Sequence, residues 1–324
     1  MSSTTGVEIQ SAAAKIDPLG EVRPRIPLVY IASPSFSGST LLTFLLGAHP
    51  RVSTMGELRW ADMDLATYRC SCGDLLNDCS YWKQVEQRVA ARGLPFSVKR
   101  PQTTFRFRSA PLTDRVARSG VRGRVFELVR DVLLRILPAS RNGWRMVRDV
   151  NYATMEAMIA LRGGGVFVDA SKEPTRLKHL ADTGDYDIRV VHLIRDGRGV
   201  TNSGIQNKRL DVRTSIREWY ETHRQIERLR GRFDAARWFQ LRYEDLCAAP
   251  QSRMTELFQF IGLEPIALTS ELDVTKFHVL GNRMRLEFSG HIALDEKWRT
   301  ALSPAALDEF ERVAGGLNRE YGYA

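Results

Sequence analysis

An apolar run of strand character, Leu28-Val29-Tyr30-Ile31-Ala32, passes almost directly into Pro34-Ser35-Phe36-Ser37-Gly38-Ser39-Thr40-Leu41-Leu42 and on into an apolar helix. Strand, small-residue loop and helix in that order build a cradle for a phosphate. Small side chains let the backbone wrap an anion, and the N–H groups at the helix N-terminus point at it. The ATP-binding version of such a loop reads G-x-x-x-x-G-K-[S/T], with its lysine on the outer phosphates. Here Gly38 is followed by Ser39 and Thr40, so that lysine is absent and the first glycine is missing too. A cradle without the Mg·ATP machinery implies a different anionic donor. Taken alone, the segment also reads as a tight polar turn.

A second segment narrows the choice. Asp187-Ile188-Arg189-Val190-Val191-His192-Leu193-Ile194 reads as a buried strand ending in Arg195-Asp196-Gly197-Arg198-Gly199-Val200-Thr201-Asn202-Ser203. An arginine at a strand's C-terminal edge and a serine eight residues on, in the next helix, can grip one phosphate from two sides. Together the two segments resemble the sulfotransferases that use 3′-phosphoadenosine 5′-phosphosulfate (PAPS). The wording Arg195-Asp196-Gly197-Arg198 followed by Ser203 looks most like their tyrosylprotein and Golgi-type branches. The resemblance implies that Ser35, Phe36, Ser37, Gly38, Ser39 and Thr40 hold the 5′-phosphosulfate, and that Arg195 and Ser203 hold the 3′-phosphate. In one respect the chain departs from the family: Phe36 stands where the donor loop normally has Lys or Arg.

Four runs read as buried strands of a parallel sheet: Leu28–Ala32, Val166–Asp169, Arg189–Ile194 and Trp238–Leu241. Each is followed by a polar turn and a helical pattern. That rhythm predicts an α/β, doubly wound parallel sheet with ligands at the strands' C-terminal edges, and the resemblance makes it the P-loop NTPase-like sulfotransferase fold. Residues 62–160 break the rhythm and read as a basic helical insertion forming a lid over the active site. Within it, Val125–Leu137 is apolar at helical spacing, as expected of a packed face. With 324 residues, 43% of them apolar, the chain can bury one substantial core. The expected organisation is a disordered tail over 1–24 and one sulfotransferase domain over 25–324. No run approaches the length of apolar residues needed to span a membrane, and the N-terminus lacks a hydrophobic signal core. Cytoplasmic residence is the resulting expectation, and no signal marks an oligomeric state.

The net charge of +9 is unevenly placed. Between Lys99 and Arg148 there are 13 Lys and Arg against three acids, Asp114, Glu127 and Asp131. Few aromatics interleave with them, which disfavours nucleic acid as a partner. A solvated basic helical face is one reading. The other is a lid that attracts a polyanionic donor, an acidic acceptor or an anionic membrane surface by peripheral contact.

Sulfuryl transfer resembles phosphoryl transfer: an in-line displacement in which the protein positions the reactants and neutralises charge building on the leaving phosphate. It needs a cation near the bridging oxygen and a base for the acceptor hydroxyl. Glu57, in Met55-Gly56-Glu57-Leu58, is the expected base, because the tyrosylprotein enzymes carry a Gly-Glu pair at this place. Its structural alternative is a helix cap or a partner for Arg51 or Arg59, and His49 is a rival base. Lys172, in Asp169-Ala170-Ser171-Lys172-Glu173-Pro174, is the expected cation; its alternative is a surface lysine at a helix start. Gly281-Asn282-Arg283-Met284-Arg285 resembles the family's last donor loop, implying Asn282 on the phosphosulfate and Arg283 and Arg285 on the 3′-phosphate. Trp298 and the segment Arg242–Leu246 read as packing and scaffolding.

Cys70, Cys72 and Cys79 form C-x-C-x6-C, a spacing that matches no standard zinc pattern. Zinc with a fourth ligand, a disulfide and free buried thiols all fit it, and the reaction itself requires no metal. The leading expectation is transfer from PAPS, releasing 3′-phosphoadenosine 5′-phosphate (PAP), to a hydroxyl of a carbohydrate, lipid or small molecule. The alternatives are a P-loop small-molecule kinase and a PAP-binding protein whose catalysis lapsed with Phe36.

Overall fold

One parallel sheet organises the computed structural model, which describes residues 15–16, 22–57, 67–105, 111–269, 273–281, 284–288 and 290–324. The strands are β1 (Lys15–Ile16), β2 (Val22–Arg23), β3 (Ile26–Ala32), β4 (Val52–Gly56), β5 (Val166–Lys172), β6 (Tyr186–Ile194) and β7 (Trp238–Arg242). The helices the site depends on are α1 (Ser39–Gly47), α2 (Ser80–Ala90), α3 (Pro111–Ala117), α4 (Arg124–Ile136), α5 (Pro138–Leu161), α6 (Pro174–Thr183), α7 (Gly197–Lys208), α8 (Val212–Arg230), α9 (Tyr243–Ala248) and α10 (Pro250–Phe260). The five-stranded sheet has the order β4-β5-β3-β6-β7, and every pair in it is parallel. This is the expected α/β architecture. From β3 the chain leaves through α1 toward the β4 edge, whereas β6 lies on β3's other side. The order therefore reverses at β3, and a crevice opens beyond its C-terminal end.

Alternate residues of each strand feed opposite faces, as a pleated strand requires. Tyr30, Phe167 and Val190 pack with Trp82 and Val85 of α2 and Val150, Met155 and Met158 of α5. On the other face Val29, Ile31, Val168 and Val191 meet Leu41 and Leu45 of α1 and Leu257 and Phe258 of α10. The expected insertion is therefore not all peripheral: α2 and the second half of α5 belong to the layer under the sheet.

Two elements depart from the sequence reading. The stretch before Glu57 is a full edge strand, β4, although Ser53 and Thr54 interrupt its apolar character. Both are buried because their hydroxyls are bonded, Thr54 Oγ1 to the Val168 carbonyl at 2.9 Å and Ser53 Oγ to that of Met158 at 3.4 Å. The apolar face of α4, expected to pack, instead faces out: Val125 is 78% exposed, Leu128 65% and Ile136 63%. Its inner face is claimed by charge. Arg130 is fully buried, pairing with Glu127 and donating to the Ser119 carbonyl at 2.6 Å, and buried Lys178 of α6 pairs with Asp131 and with Asp182.

Most of the expected tail, residues 1–14 and 17–21, lies outside the described residues, while β1 and β2 pair antiparallel within it. Among the described residues, no helix is long and apolar enough to cross a membrane.

Candidate active site

The strand ends around the crevice are irregular. The β3–β5 register shifts between Tyr30 and Ala32, and the β4–β5 register shifts between Thr54 and Gly56. Such bulges re-aim the side chains that follow them. Past the first, Lys172 has φ 70, in the left-handed region that non-glycine residues seldom occupy. Buried Asp169 holds that turn by accepting from the Ser171 amide at 2.8 Å and from Arg176 Nε at 2.9 Å. Arg176 is anchored in turn to the Thr103 carbonyl and Asn151, each at 2.6 Å. Past the second shift, Gly56 has φ 80, and a Cβ there would fall 2.3 Å from the Leu280 carbonyl oxygen. Glycine is needed at this point on both counts. The two irregular ends bring the expected base and the expected cation together: Lys172 Nζ donates to Glu57 Oε1 at 2.6 Å, across 115 residues of sequence.

The loop after β3 is equally constrained. Phe36 has φ 64, and Gly38, the N-cap of α1, has φ 87. The Tyr243 ring lies so close that a Cβ on Gly38 would approach it to 2.4 Å. Arg195, at the end of β6, sits over the same ring at 4.7 Å and donates to the Phe36 carbonyl at 2.8 Å. Its other nitrogen donates to the Asp295 carbonyl at 2.9 Å and carboxylate at 3.0 Å. The hydroxyls of Ser33 and Ser37 are buried and have no hydrogen-bond partner among the described residues. Such orphans are rare in a finished core and suit a loop shaped for a ligand.

A cation does stand near Phe36, supplied by another element. Lys208, at the end of α7, places Nζ 3.4 Å from Ser35 Oγ and 5.5 Å from the Phe36 ring centroid. It also lies 3.4 Å from Glu218. No motif in the sequence singles it out.

Ser39 and Thr40 start α1, and Ser203 lies on the buried side of α7. Asn282 and Arg283 lie outside the described residues. Arg285 is committed to backbone: it donates to the Arg69 carbonyl at 2.8 Å and that of Gly281 at 2.7 Å, with its guanidinium over Tyr68. There it ties the insertion to the loop beside Glu57. The rival base His49 is buried, bonded to the Glu264 carbonyl and the Arg51 amide, and burial lowers its pKa. Trp298 is buried with Arg198 over its ring at 4.3 Å. Cys70, Cys72 and Cys79 gather around His278, and none of the four cysteines is in a disulfide.

Glu57 and Lys172 open onto a cavity of about 290 Å³ lined also by Ser33, Ser35, Arg118 and Gln225. A second cavity of about 220 Å³ shares Arg118, Glu173 and Thr175 with it and reaches Phe105. Arg118, which lines both cavities, and Phe105, which lines the second, come from residues 62–160. The arrangement offers an anion cradle, a carboxylate and an ammonium at one crevice, with a second cavity beside it.

Comparison with known proteins identifies the family. The model of a family described as "Sulfotransferase family" matches residues 27–267. The sulfotransferase domain from the curacin biosynthetic pathway is 18% identical, with a TM-score of 0.50 over 93% of this chain and 99% of that one. The sulfotransferase domain of the Synechococcus PCC 7002 olefin synthase is 19% identical, with a TM-score of 0.47 over 97% and 99%. Sulfotransferase STF9 from Mycobacterium avium is 12% identical, with a TM-score of 0.47 over 93% and 78%. Among curated proteins, none matches.

Proposed function

The chain belongs to the sulfotransferase family, and from that premise we propose that it transfers a sulfuryl group from PAPS to a hydroxyl acceptor, with Glu57 as base and Lys172 as electrostatic stabiliser. The observation that carries this reading is the 2.6 Å Lys172–Glu57 pair at the mouth of the cradle. A base and a cation are the two groups that in-line sulfuryl transfer asks of a protein, and here two bulged strand ends hold them in contact.

The cradle fits PAPS on its own chemistry. Two orphaned serine hydroxyls, the amides at the start of α1 and the Arg195 guanidinium supply donors suited to phosphate and sulfate oxygens. When bound, PAPS supplies an activated sulfuryl group and a good leaving group. Glu57 takes the acceptor's proton as the acceptor oxygen–sulfur bond forms and the sulfur–oxygen bond to the nucleotide breaks. Lys172 turns from Glu57 toward the charge growing on the bridging oxygen, which frees the carboxylate for the acceptor. Lys208 takes over the duty of the family's loop cation, replacing the side chain lost at Phe36 with one reaching in from α7. The second cavity, which reaches Phe105, holds the acceptor, a carbohydrate or small molecule with an accessible hydroxyl.

Calorimetric titration with PAP, beside ATP with and without Mg²⁺, tests the donor. Micromolar or tighter PAP binding, weakened at least ten-fold by Arg195→Ala, is the expected result. Indifference to PAP together with a preference for Mg·ATP would replace this reading with a kinase. Tight PAP binding without transfer of labelled sulfate from PAPS to any of a panel of hydroxyl compounds would leave a nucleotide-binding protein.

A further inference from the structure

Three sulfurs and one imidazole converge. The side-chain ligand atoms of Cys70, Cys72, Cys79 and His278 all lie within 4.8 Å of one another. Cys72 Sγ is 3.7 Å from Cys79 Sγ, and His278 Nδ1 is 3.4 Å from Cys79 Sγ and 3.7 Å from Cys70 Sγ. A tetrahedral zinc ion, with Zn–S about 2.3 Å and Zn–N about 2.0 Å, sets S···S edges of roughly 3.8 Å and S···N edges of roughly 3.5 Å. These three separations match such edges, and the other three lie within 4.8 Å. A disulfide between Cys72 and Cys79 would need their sulfurs at about 2 Å. We propose that Cys70, Cys72, Cys79 and His278 hold one Zn²⁺ in a closed structural site.

The surroundings are those of a metal site. The His278 ring is stacked on Tyr81 at 4.4 Å and 4°, which fixes its plane. Cys70 and Cys79 are buried and Cys72 and His278 half-buried, so the ligands can be closed off from solvent. Four protein ligands leave no open position for a reacting molecule. The ion is structural and takes no part in transfer.

Its place in the fold says what it would hold. Around the cluster Ser71 N donates to the Val279 carbonyl at 3.2 Å, and Val279 N donates to Ser71 Oγ at 2.8 Å. Next along the chain, Leu280 N donates to the Met55 carbonyl at 2.8 Å, and Gly281 lies against Glu57. Zinc would thus clamp the insertion to a segment 199 residues later, from Cys79 to His278. That clamp forms the wall behind the base. The inference stands whether or not sulfate is the group transferred.

The test uses the full chain, expressed with zinc in the medium and purified without chelators. Elemental analysis is expected to give one zinc per chain. Exchange with Co²⁺ is expected to give the intense visible bands of a tetrahedral thiolate site. The double variant Cys72→Ser, His278→Ala should lose both, while Cys247→Ser keeps both. If the double variant does not fold, the wild-type cobalt spectrum decides alone. Metal-free protein with four titratable thiols and no tetrahedral cobalt spectrum would overturn the proposal. So would zinc retained at full stoichiometry by a folded double variant.

Discussion

On the sheet side of the cleft the cations are spoken for: Lys172 by Glu57, Arg195 by Asp295 and the Phe36 carbonyl, Arg176 by Asp169. On the insertion side Arg122, Arg124, Arg135, Arg141 and Arg145 are exposed. The first group is held in fixed geometry by strand ends and bulges, in a setting of low dielectric. The second is solvent-exposed and screened by salt within about 10 Å. A desolvated charge already placed at the cleft needs little reorganisation to stabilise a transition state. An exposed one steers encounter and little else. Most of the chain's net charge thus lies on that exposed side, and the charges proposed as catalytic are few and mutually compensated.

The largest effect should come from breaking the compensated pair. Lys172→Ala and Glu57→Gln are each expected to lower sulfate transfer from PAPS by about 10²–10³-fold, with PAP affinity changed only a few-fold. Arg141→Ala with Arg145→Ala should leave turnover within a few-fold in moderate salt. Measuring transfer of labelled sulfate alongside PAP titration separates the two sides. Equal losses of turnover on both sides would erase the distinction; a matching loss of PAP affinity in Lys172→Ala would make that residue a binding group.

A smaller effect should follow at the loop. Lys208→Ala is expected to reduce turnover about ten-fold, since a half-exposed ammonium delivers only part of an oxyanion-stabilising interaction. Phe36→Lys in that background should recover most of the loss. Failure of Phe36→Lys to help, with Lys208→Ala silent, would assign the whole electrostatic role to Lys172.

The same contrast explains what the sequence disclosed. The cradle, Arg195 and the strand rhythm are contiguous: each is a strand end plus its next few residues, so reading along the chain finds them. Glu57 and Lys172 were each legible through the Gly-Glu and Lys-acid-Pro wording, but their contact was not, because it depends on how two bulged strands terminate side by side. Lys208 carries no motif; only the path of α7 back over the loop reveals it. Arg285 looked like a phosphate ligand because its segment resembles the family's last donor loop, yet it donates to the Arg69 and Gly281 carbonyls. His278 was invisible as a partner of the cysteines, since a bridge between Gly56 and Leu280 brings it there. Long-range pairing is where reading along the chain stops.

The smallest expected effect belongs to α4, where periodicity revealed a helix but not which face it buries. Two candidate faces competed. The apolar one would bury Val125, Leu128, Val129 and Val132; the charged one buries Arg130 beside Lys178, Asp131 and Glu127. The charged face lies inward because Lys178, itself 1% exposed, pairs with the carboxylates of α4 and with Asp182, and a buried ammonium left unpaired is costlier than an exposed valine. Leu128→Ser with Val129→Ser, at 65% and 51% exposure, should therefore shift urea-unfolding stability by no more than about 0.5 kcal/mol. Leu134→Ala, at 5% exposure on the same helix, should cost about 2–4 kcal/mol. A loss above about 1 kcal/mol in the double serine variant would mean the apolar face is covered in solution, and the insertion would then be as firmly packed as the sheet side it is contrasted with.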